Sequence, residues 1–220
     1  MTLKSELIQC VVQHDPRRAA LLPPLLAQLP GAQAVADPGA SEPRRSPWRC
    51  YRACLQALEP GASHLLVVQD DAILCRDFAQ AIPLLAAARP DDPLCLFVPG
   101  VGANQRRVLQ ACASGALWAE LDPLAWVPCV AVLWPRAQAE ALLAFAEQKR
   151  YPESRSADDA IVGDFSRETR TRFLAPVPSL CDHDDSQRSL VGTANWSGLS
   201  PARVAACWLG AELSPLSFAW

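Results

Sequence analysis

The chain has 220 residues, half of them hydrophobic and a fifth charged, which suffices to bury the core of one globular domain without disulfides. The 20 basic and 23 acidic side chains nearly balance, which excludes a general nucleic-acid coat protein but leaves a local basic patch open. No apolar run approaches the roughly 18 residues that span a bilayer, so we expect no membrane insertion. The apolar content is too high for a disordered chain.

The N-terminus and the cysteines both predict a cytoplasmic protein. Residues 1–15 lack the basic region, apolar stretch and cleavage site of a signal peptide. The nine cysteines are odd in number, and several lie in apolar runs, which is typical of reduced, buried thiols. A zinc site is the alternative for the cysteines, but Cys50 and Cys54 are the one closely spaced pair, so the second pair of ligands is missing.

The first part of the chain is predicted to hold two strands with a helix between them. Apolar residues indicate a buried strand over 6–12, and a helical period follows over 17–29. A short strand over 32–36 is stopped by Asp37-Pro38-Gly39. The residues from there to Pro47 have the prolines, glycine and arginines of a loop.

The next helix and strand have clear boundaries. Ser46 is a good N-cap and Pro47 suits the first helical turn, so a helix begins here and ends at Pro60-Gly61. A buried strand is predicted over 64–68. It stops abruptly at Gln69-Asp70-Asp71.

Helices and strands continue to alternate through the rest of the core. Further helices are predicted over 77–88, 136–149 and 157–167, and further strands over 94–98, 129–134 and 172–177. Apolar strands that alternate with helices indicate an α/β domain with a mainly parallel central sheet flanked by helices. We place this domain at 1–192 and assign 193–220 to a tail that packs on the core or at a dimer contact. Within the tail, 200–210 is expected either to form a short amphipathic helix that covers the core or to mediate dimer contacts.

Polar side chains at the strand ends predict where the site lies. Ligands bind beyond the carboxyl ends of the strands in such sheets. Two acids after an apolar strand are costly unless a partner neutralises them. A divalent ion is one such partner, and capping of the next helix is the alternative. The residues expected at this edge are Gln13, His14, Asp15, Asp37, Gln69, Asp70 and Asp71.

Four parts of the sequence carry a resemblance to a known class of enzymes. They are VVQHDPRR at 11–18, SPWRCYRACLQAL with HLLVVQDDAILCRDF at 46–58 and 64–78, ESRSADDAIVGDF at 153–165, and PSLCDHDDSQRSLVG at 178–192. Together they resemble nucleotide-sugar glycosyltransferases of the GT-A fold, of the family 25 or family 2 type found among small bacterial and phage enzymes. The resemblance implies a Rossmann-like domain that transfers a hexose or pentose from a nucleotide sugar, with UDP as the expected nucleotide. For an enzyme of the phage type, the expected location is the cytoplasm of the host.

The resemblance also implies a metal site. In these families an acidic triplet holds Mn²⁺ or Mg²⁺ on the diphosphate, and a late histidine completes the coordination. The triplet here is Gln69-Asp70-Asp71, whose first position departs from Asp or Glu. The implied ligands are therefore Asp71 and His183, with Asp70 on ribose, sugar or metal. The alternative for His183 is a solvated acidic turn.

The resemblance implies a catalytic base, and the ends of the first two strands together with the start of the helix at 46–58 indicate the nucleotide contacts. Asp158 or Asp159 corresponds to the catalytic base, and N-capping of the helix is the alternative for this pair. Without a GxGxxG or a GxxxxGK[ST] motif, a dinucleotide enzyme or a P-loop NTPase is disfavoured. An ordinary surface role is the alternative for each residue expected to contact the nucleotide. These residues are Gln13, His14, Arg17, Asp37, Arg49 and Arg52, and Gln69 and Asp70 complete the expected substrate-binding set.

The acceptor and some wider alternatives stay open. A hydroxymethylated pyrimidine of phage DNA is one candidate acceptor, with arginines at 44, 45, 49, 52, 106 and 107 for its phosphates. A bacterial surface glycan or a protein side chain is the alternative. Trp118 and Trp126 lie in the region expected to meet the acceptor, with packing as their other role. A sugar nucleotidyltransferase and a noncatalytic nucleotide-sugar binding module are the competing functions, and the oligomeric state is open.

Overall fold

The structure is a computed structural model and describes residues 7–42, 46–152, 157–184, 186 and 203–220. The strands within these residues are β1 Ile8–His14, β2 Gln33–Ala36, β3 His64–Gln69, β4 Ala72–Leu74, β5 Leu94–Cys95, β6 Trp118–Glu120, β7 Ala131–Pro135, β8 Leu174–Pro176 and β9 Cys181–His183. The α-helices are α1 Leu22–Gln28, α2 Pro47–Gln56, α3 Phe78–Ala88, α4 Ala103–Ser114, α5 Arg136–Lys149 and α6 Asp158–Thr169. Short 3-10 helices cover Pro16–Leu21 and Pro215–Ser217.

Seven strands form the central sheet, in the order β2-β1-β3-β7-β5-β8-β6, and β4 pairs with β9 in a separate ribbon. Strands β2, β1, β3, β5 and β8 run in one direction, whereas β7 and β6 run in the other. The predicted α/β domain with a mainly parallel sheet flanked by helices is confirmed. A continuous apolar run indicates burial but not strand direction, so the sequence does not reveal that β7 is antiparallel.

Two hydrophobic cores lie on the two faces of the sheet. Because side chains alternate along a strand, Leu65 and Val67 of β3 enter one core and Leu66 and Val68 enter the other. Helices α2, α5 and α6 cover the first face, and α1 and α3 cover the second. The same alternation continues past the end of β3 and divides the polar side chains there between the two faces.

A buried hydrogen bond ties the sheet to α2 in the first core. The indole N–H of Trp134, on β7, donates to the hydroxyl of Tyr51 at 2.8 Å. The Trp134 ring also packs edge-on against Phe173, with centroids 5.3 Å apart. Both partners of the hydrogen bond are fully buried, so no water can replace either of them.

Several elements differ from their predicted form. The helix expected over 17–29 is a 3-10 helix followed by α1, because Arg18 has φ −107° and ψ 26° and interrupts the turn. The strand expected over 94–98 forms sheet pairs only at Leu94–Cys95. Its continuation pairs with the tail, since Ala206 N donates to Val98 O at 2.8 Å. The described part of 200–210, which is 203–210, has a turn between two isolated bridges, at Ala205 and Trp208, so the amphipathic helix does not form there. The alternative, a dimer contact, stays a prediction.

Some elements are missed by the sequence analysis. These are α4, β6 and the ribbon of β4 and β9. The ribbon strands have only three residues each, which is too short for a period-2 pattern to stand out. No helix among the described residues is long and apolar enough to cross a membrane. All nine cysteines are free thiols, and Cys112 Sγ lies 2.9 Å from Cys207 Sγ where the tail meets α4.

Tyr51→Phe should lower the free energy of unfolding by about 1–3 kcal/mol, because it leaves the Trp134 indole N–H buried without its acceptor. Urea unfolding followed by tryptophan fluorescence measures the loss. The matched control is Tyr151→Phe, since the half-buried Tyr151 hydroxyl donates to Asp164 at 2.9 Å near the surface. Equal losses in the two variants would contradict this account of the core.

Candidate active site

The carboxyl ends of β1 and β3 bring the predicted polar residues together. The two strands are parallel and in register, so Gln13 lies beside Gln69. Just beyond this pair, Asp70 N donates to Gln13 O at 3.0 Å, which holds the chain at the edge of the sheet. Gln13, His14, Asp70 and Asp71 are all buried here.

Asp70 is held by three neighbours. Its Oδ2 atom accepts a hydrogen bond from Asp15 N at 2.9 Å and lies 3.2 Å from His14 Nδ1. Its Oδ1 atom accepts from Arg18 Nη1 at 3.0 Å. Burial raises the pKa of the Asp70 carboxyl and the Asp71 charge adds to this, while Asp15 N and Arg18 oppose it.

Asp71 lies between a guanidinium and an imidazole. Its Oδ2 atom accepts from Arg18 Nη1 at 2.5 Å and lies 3.2 Å from His183 Nε2. Burial pulls the pKa of Asp71 upward, but the hydrogen bond and charge of His183, together with Arg18, hold it at about 2. Asp71 is therefore a carboxylate at neutral pH.

The ribbon of β4 and β9 puts His183 in contact with Asp71. The antiparallel register pairs Ala72 with His183, and Asp184 N donates to Asp71 O at 2.8 Å. Asp182 ties the ribbon to the tail, because its Oδ1 atom accepts from Ala205 N at 2.7 Å. His183 is buried, so the alternative of a solvated acidic turn does not describe it.

The side chains around Asp71 fit a divalent ion. Asp71 Oδ1 is buried and has no hydrogen-bond partner among the residues that the structure describes. Carboxylate oxygen and imidazole nitrogen are suitable ligands for Mn²⁺. Within the described chain, no group of three or more His, Cys, Asp or Glu side chains is already arranged around a metal position. In their present arrangement, Arg18 supplies the positive charge that Asp70 and Asp71 need.

Arg18 is the residue that sequence reasoning missed. The signal in the sequence is the pair Arg17-Arg18 after the first strand, of which Arg17 is the residue predicted to contact the nucleotide. In the structure Arg17 faces the surface and its Nε donates to Asp15 Oδ1 at 2.6 Å. The 3-10 geometry, which the helical period did not predict, directs Arg18 to the edge of the sheet instead.

Asp158 forms a second part of the site, on the other face of the sheet. Its Oδ2 atom accepts from Gln69 Nε2 at 3.2 Å and from Gln13 Nε2 at 3.4 Å. Burial, and after it the charge of Asp159, raises the pKa of Asp158 to about 7. The N-cap of α6 is Ala157, so Asp158 lies in the first helical turn and does not cap it. Asp159 is half-buried, and burial also raises its pKa.

Asp37 and Arg49 lie together at the end of β2. Arg49 is buried, and its Nε and Nη2 atoms donate to the Asp37 carboxylate at 2.8 and 3.0 Å. Its Nη1 atom donates to Glu42 at 2.7 Å, so Arg49 fastens the loop after β2 to α2. Gly39 has no room for a side chain, because a Cβ there would lie 2.0 Å from the Arg49 guanidinium carbon. Arg52 is half-buried on the next turn of α2.

Other predicted residues lie away from this cluster or outside the described chain. Trp118 packs edge-on against Trp220, with centroids 5.7 Å apart. Trp126 is 44% exposed and lines a small surface pocket with Asn104. Residues 43–45, 153–156, 185 and 187–202 are not described, so the arginines at 44 and 45 and the end of the motif at 178–192 fall outside the structure.

Comparisons with known proteins give matches to solved structures but not to protein-family models or curated proteins. No protein-family model matches the chain, and no curated protein matches it. Eighteen chains of solved structures match. One is a mutant of a Drosophila β-1,4-galactosyltransferase 7 in complex with manganese, UDP-galactose and xylobiose, with a TM-score of 0.45 and 9% identity over 84% of this chain and 76% of that chain.

The raised pKa of Asp158 predicts how stability changes with pH. In the unfolded chain this carboxyl ionises near 3.8, whereas in the folded protein it ionises near 7. Between these values the folded state holds a proton that the unfolded state has lost, so stability falls as the pH rises. Asp158→Asn removes the carboxyl that takes up this proton, so the stability of the variant should fall less steeply as the pH rises.

Urea unfolding of both proteins at several pH values between 4 and 8 measures this effect. The control is Asp91→Asn, at an exposed position, which should follow the original protein throughout. The account of Asp158 is wrong if Asp158→Asn loses stability with pH as steeply as the control does.

Proposed function

We propose that the chain is a metal-dependent glycosyltransferase that moves a sugar from a nucleoside diphosphate sugar, with UDP as the nucleotide, to an acceptor hydroxyl. One observation carries the proposal, and it is the state of Asp71 at the carboxyl end of β3. This carboxylate is ionised, in contact with His183, and has a buried oxygen without a hydrogen-bond partner among the described residues. Such a set suits Mn²⁺ or Mg²⁺ at the edge where α/β sheets bind ligands.

The chemistry requires positive charge at the leaving group. A bound divalent ion would neutralise the charge that develops on the departing diphosphate. Asp71 and His183 would hold that ion, and Asp70 would face the donor from beside it. His14 and Asp15 N fix the Asp70 carboxylate, so its orientation is set before the donor arrives.

The nucleotide is proposed to lie over the ends of β1 and β2. Gln13 and His14 end β1, and Arg17 follows on the exposed turn. Asp37 and Arg49 pair with each other, so we propose that they shape the loop beside the nucleoside as well as contact it. Arg52, one turn further along α2, remains a proposed phosphate contact.

Asp158 is proposed as the general base that takes the proton of the acceptor hydroxyl. A pKa of about 7 suits this work, because the group then accepts a proton near neutral pH while half of the molecules are ionised. The amides of Gln13 and Gln69 hold one carboxyl oxygen and join the base to the end of β3. Asp159, which is more exposed, is the second candidate.

For the acceptor, a hydroxymethylated pyrimidine of phage DNA is retained as a proposal, with a surface glycan or a protein side chain as the alternative. Among the described arginines named for DNA phosphates, Arg49 is engaged with Asp37 and Glu42. Arg107 lies on α4 with its side chain half-exposed, 3.8 Å from Asp122. The acceptor is therefore best identified by assay, with each of these classes offered in turn.

A screen of nucleotide sugars tests the proposal. UDP-sugar hydrolysis and transfer are measured with and without Mn²⁺, for the original protein and for Asp71→Asn, Asp158→Asn and Asp159→Asn. Turnover should require the metal and should fall by about 10²–10⁴ in Asp71→Asn and in the variant that lacks the base. With Asp158 as the base, the rate should rise with pH and reach half its maximum near pH 7.

Asp91→Asn is again the control and should keep full turnover. Turnover undiminished in both Asp71→Asn and Asp158→Asn would reject the site. If Mn²⁺ and UDP together raise the thermal unfolding temperature but no sugar is released from any donor, the chain is a binding module and not an enzyme.

A further inference from the structure

Arg18 occupies the position where the site needs a cation. Its Nη1 atom donates to Asp70 Oδ1 at 3.0 Å and to Asp71 Oδ2 at 2.5 Å. The same Asp71 oxygen lies 3.2 Å from His183 Nε2, so the two side chains that would hold a divalent ion meet beside the guanidinium. A divalent ion held by these two side chains would lie next to the Arg18 guanidinium, and the two positive charges would repel each other strongly in a site with little solvent.

The backbone that carries Arg18 lies on the surface and buries little apolar area. It belongs to the six-residue 3-10 helix Pro16–Leu21, in which no residue is buried. Arg18 itself has φ −107° and ψ 26°, a non-helical conformation that marks a kink in this helix. Segments with so little buried apolar surface open at low free energy, so the guanidinium can leave without disturbing the two cores.

We infer that Arg18 gates the cation site: without donor it neutralises Asp70 and Asp71, and a divalent ion binds as the guanidinium withdraws. The identity of the ligands in this inference rests on the proposed function. The diphosphate of the donor is the natural next partner for the displaced guanidinium, because Arg binds phosphate oxygens in a bidentate manner. Ion and nucleoside diphosphate therefore assist each other's binding.

The charges of the cluster give the direction of the effect. Asp70 and Asp71 offer two negative charges when ionised, and Arg18 cancels one of them. Cation affinity rises with the number of uncompensated carboxylates around the site. Removal of the guanidinium should therefore strengthen metal binding even though it destabilises the cluster that the guanidinium neutralises.

Mn²⁺ affinity without any nucleotide tests the inference. The electron paramagnetic resonance signal of free Mn²⁺ is recorded against protein concentration for the original chain, Arg18→Met and Arg18→Lys. Arg18→Met should bind Mn²⁺ at least about tenfold more tightly than the original chain. Arg18→Lys keeps the positive charge and should bind Mn²⁺ about as tightly as the original chain. The matched control is Arg76→Met, which removes the same charge from an exposed side chain paired with Asp77.

Thermal stability and the effect of UDP on Mn²⁺ binding give two further measurements. Circular dichroism checks that Arg18→Met is folded, and Mn²⁺ should raise its thermal midpoint more than that of the original chain. Independently of any variant, UDP should tighten Mn²⁺ binding to the original chain by about tenfold or more. Absence of this coupling overturns the inference even if Arg18→Met does not fold.

The other contrary outcomes separate the inference from the proposed function. If Arg18→Met binds Mn²⁺ no more tightly than the Arg76→Met control, or if Arg18→Lys gains as much as Arg18→Met, Arg18 is not a charge gate. If the original chain then still binds Mn²⁺ together with UDP, the proposed function stands without the gate. If no form binds Mn²⁺ with or without UDP, both fall.

Discussion

Two adjacent buried carboxylates at the end of β3 impose the main physical constraint on this molecule. Asp70 and Asp71 are each only 7% exposed, and a buried charge left without a partner costs about 3–5 kcal/mol. Positive or hydrogen-bonding groups must therefore converge on them from the rest of the chain. Arg18 arrives from the turn after β1, and His183 arrives from the ribbon. A site with this much concentrated charge has a functional explanation more readily than a structural one.

The alternation of side chains in β3 explains why the site has two parts. Asp70 continues the face of Leu66 and Val68, and there it meets Arg18. Gln69 continues the opposite face, and there it meets Asp158 at the start of α6. One strand end thus supports the carboxylates that are proposed to bind a cation and a buried acid with a pKa of about 7. The proposed transfer would use both groups, and adjacent residues at the end of one strand can supply them.

The sequence predicted the residues that end its strongest strands. Gln13, Asp70 and Asp71 follow short apolar runs that favour buried strands, and parallel pairing of those strands brings the three residues to one edge. His183 was reached through resemblance alone, since its three-residue strand has no pattern of its own.

The parts that the sequence could not predict depend on local geometry. Arg18 and Arg17 are identical in type and adjacent, and a 3-10 turn decides which one enters the site. The raised pKa of Asp158 depends on burial under the first core, which no spacing in the sequence expresses. The pairing of Asp37 with Arg49 likewise joins two residues that the sequence offered separately as nucleotide contacts.

The most direct test of the central claim is a crystal structure of the protein grown with Mn²⁺ and UDP, with the metal located by its anomalous scattering. We expect one strong anomalous peak within coordination distance of Asp71 and His183, with the UDP diphosphate on the other side of the metal. A metal that binds elsewhere, or UDP bound at this edge while Asp71 keeps its present contacts and no metal is present, would contradict it.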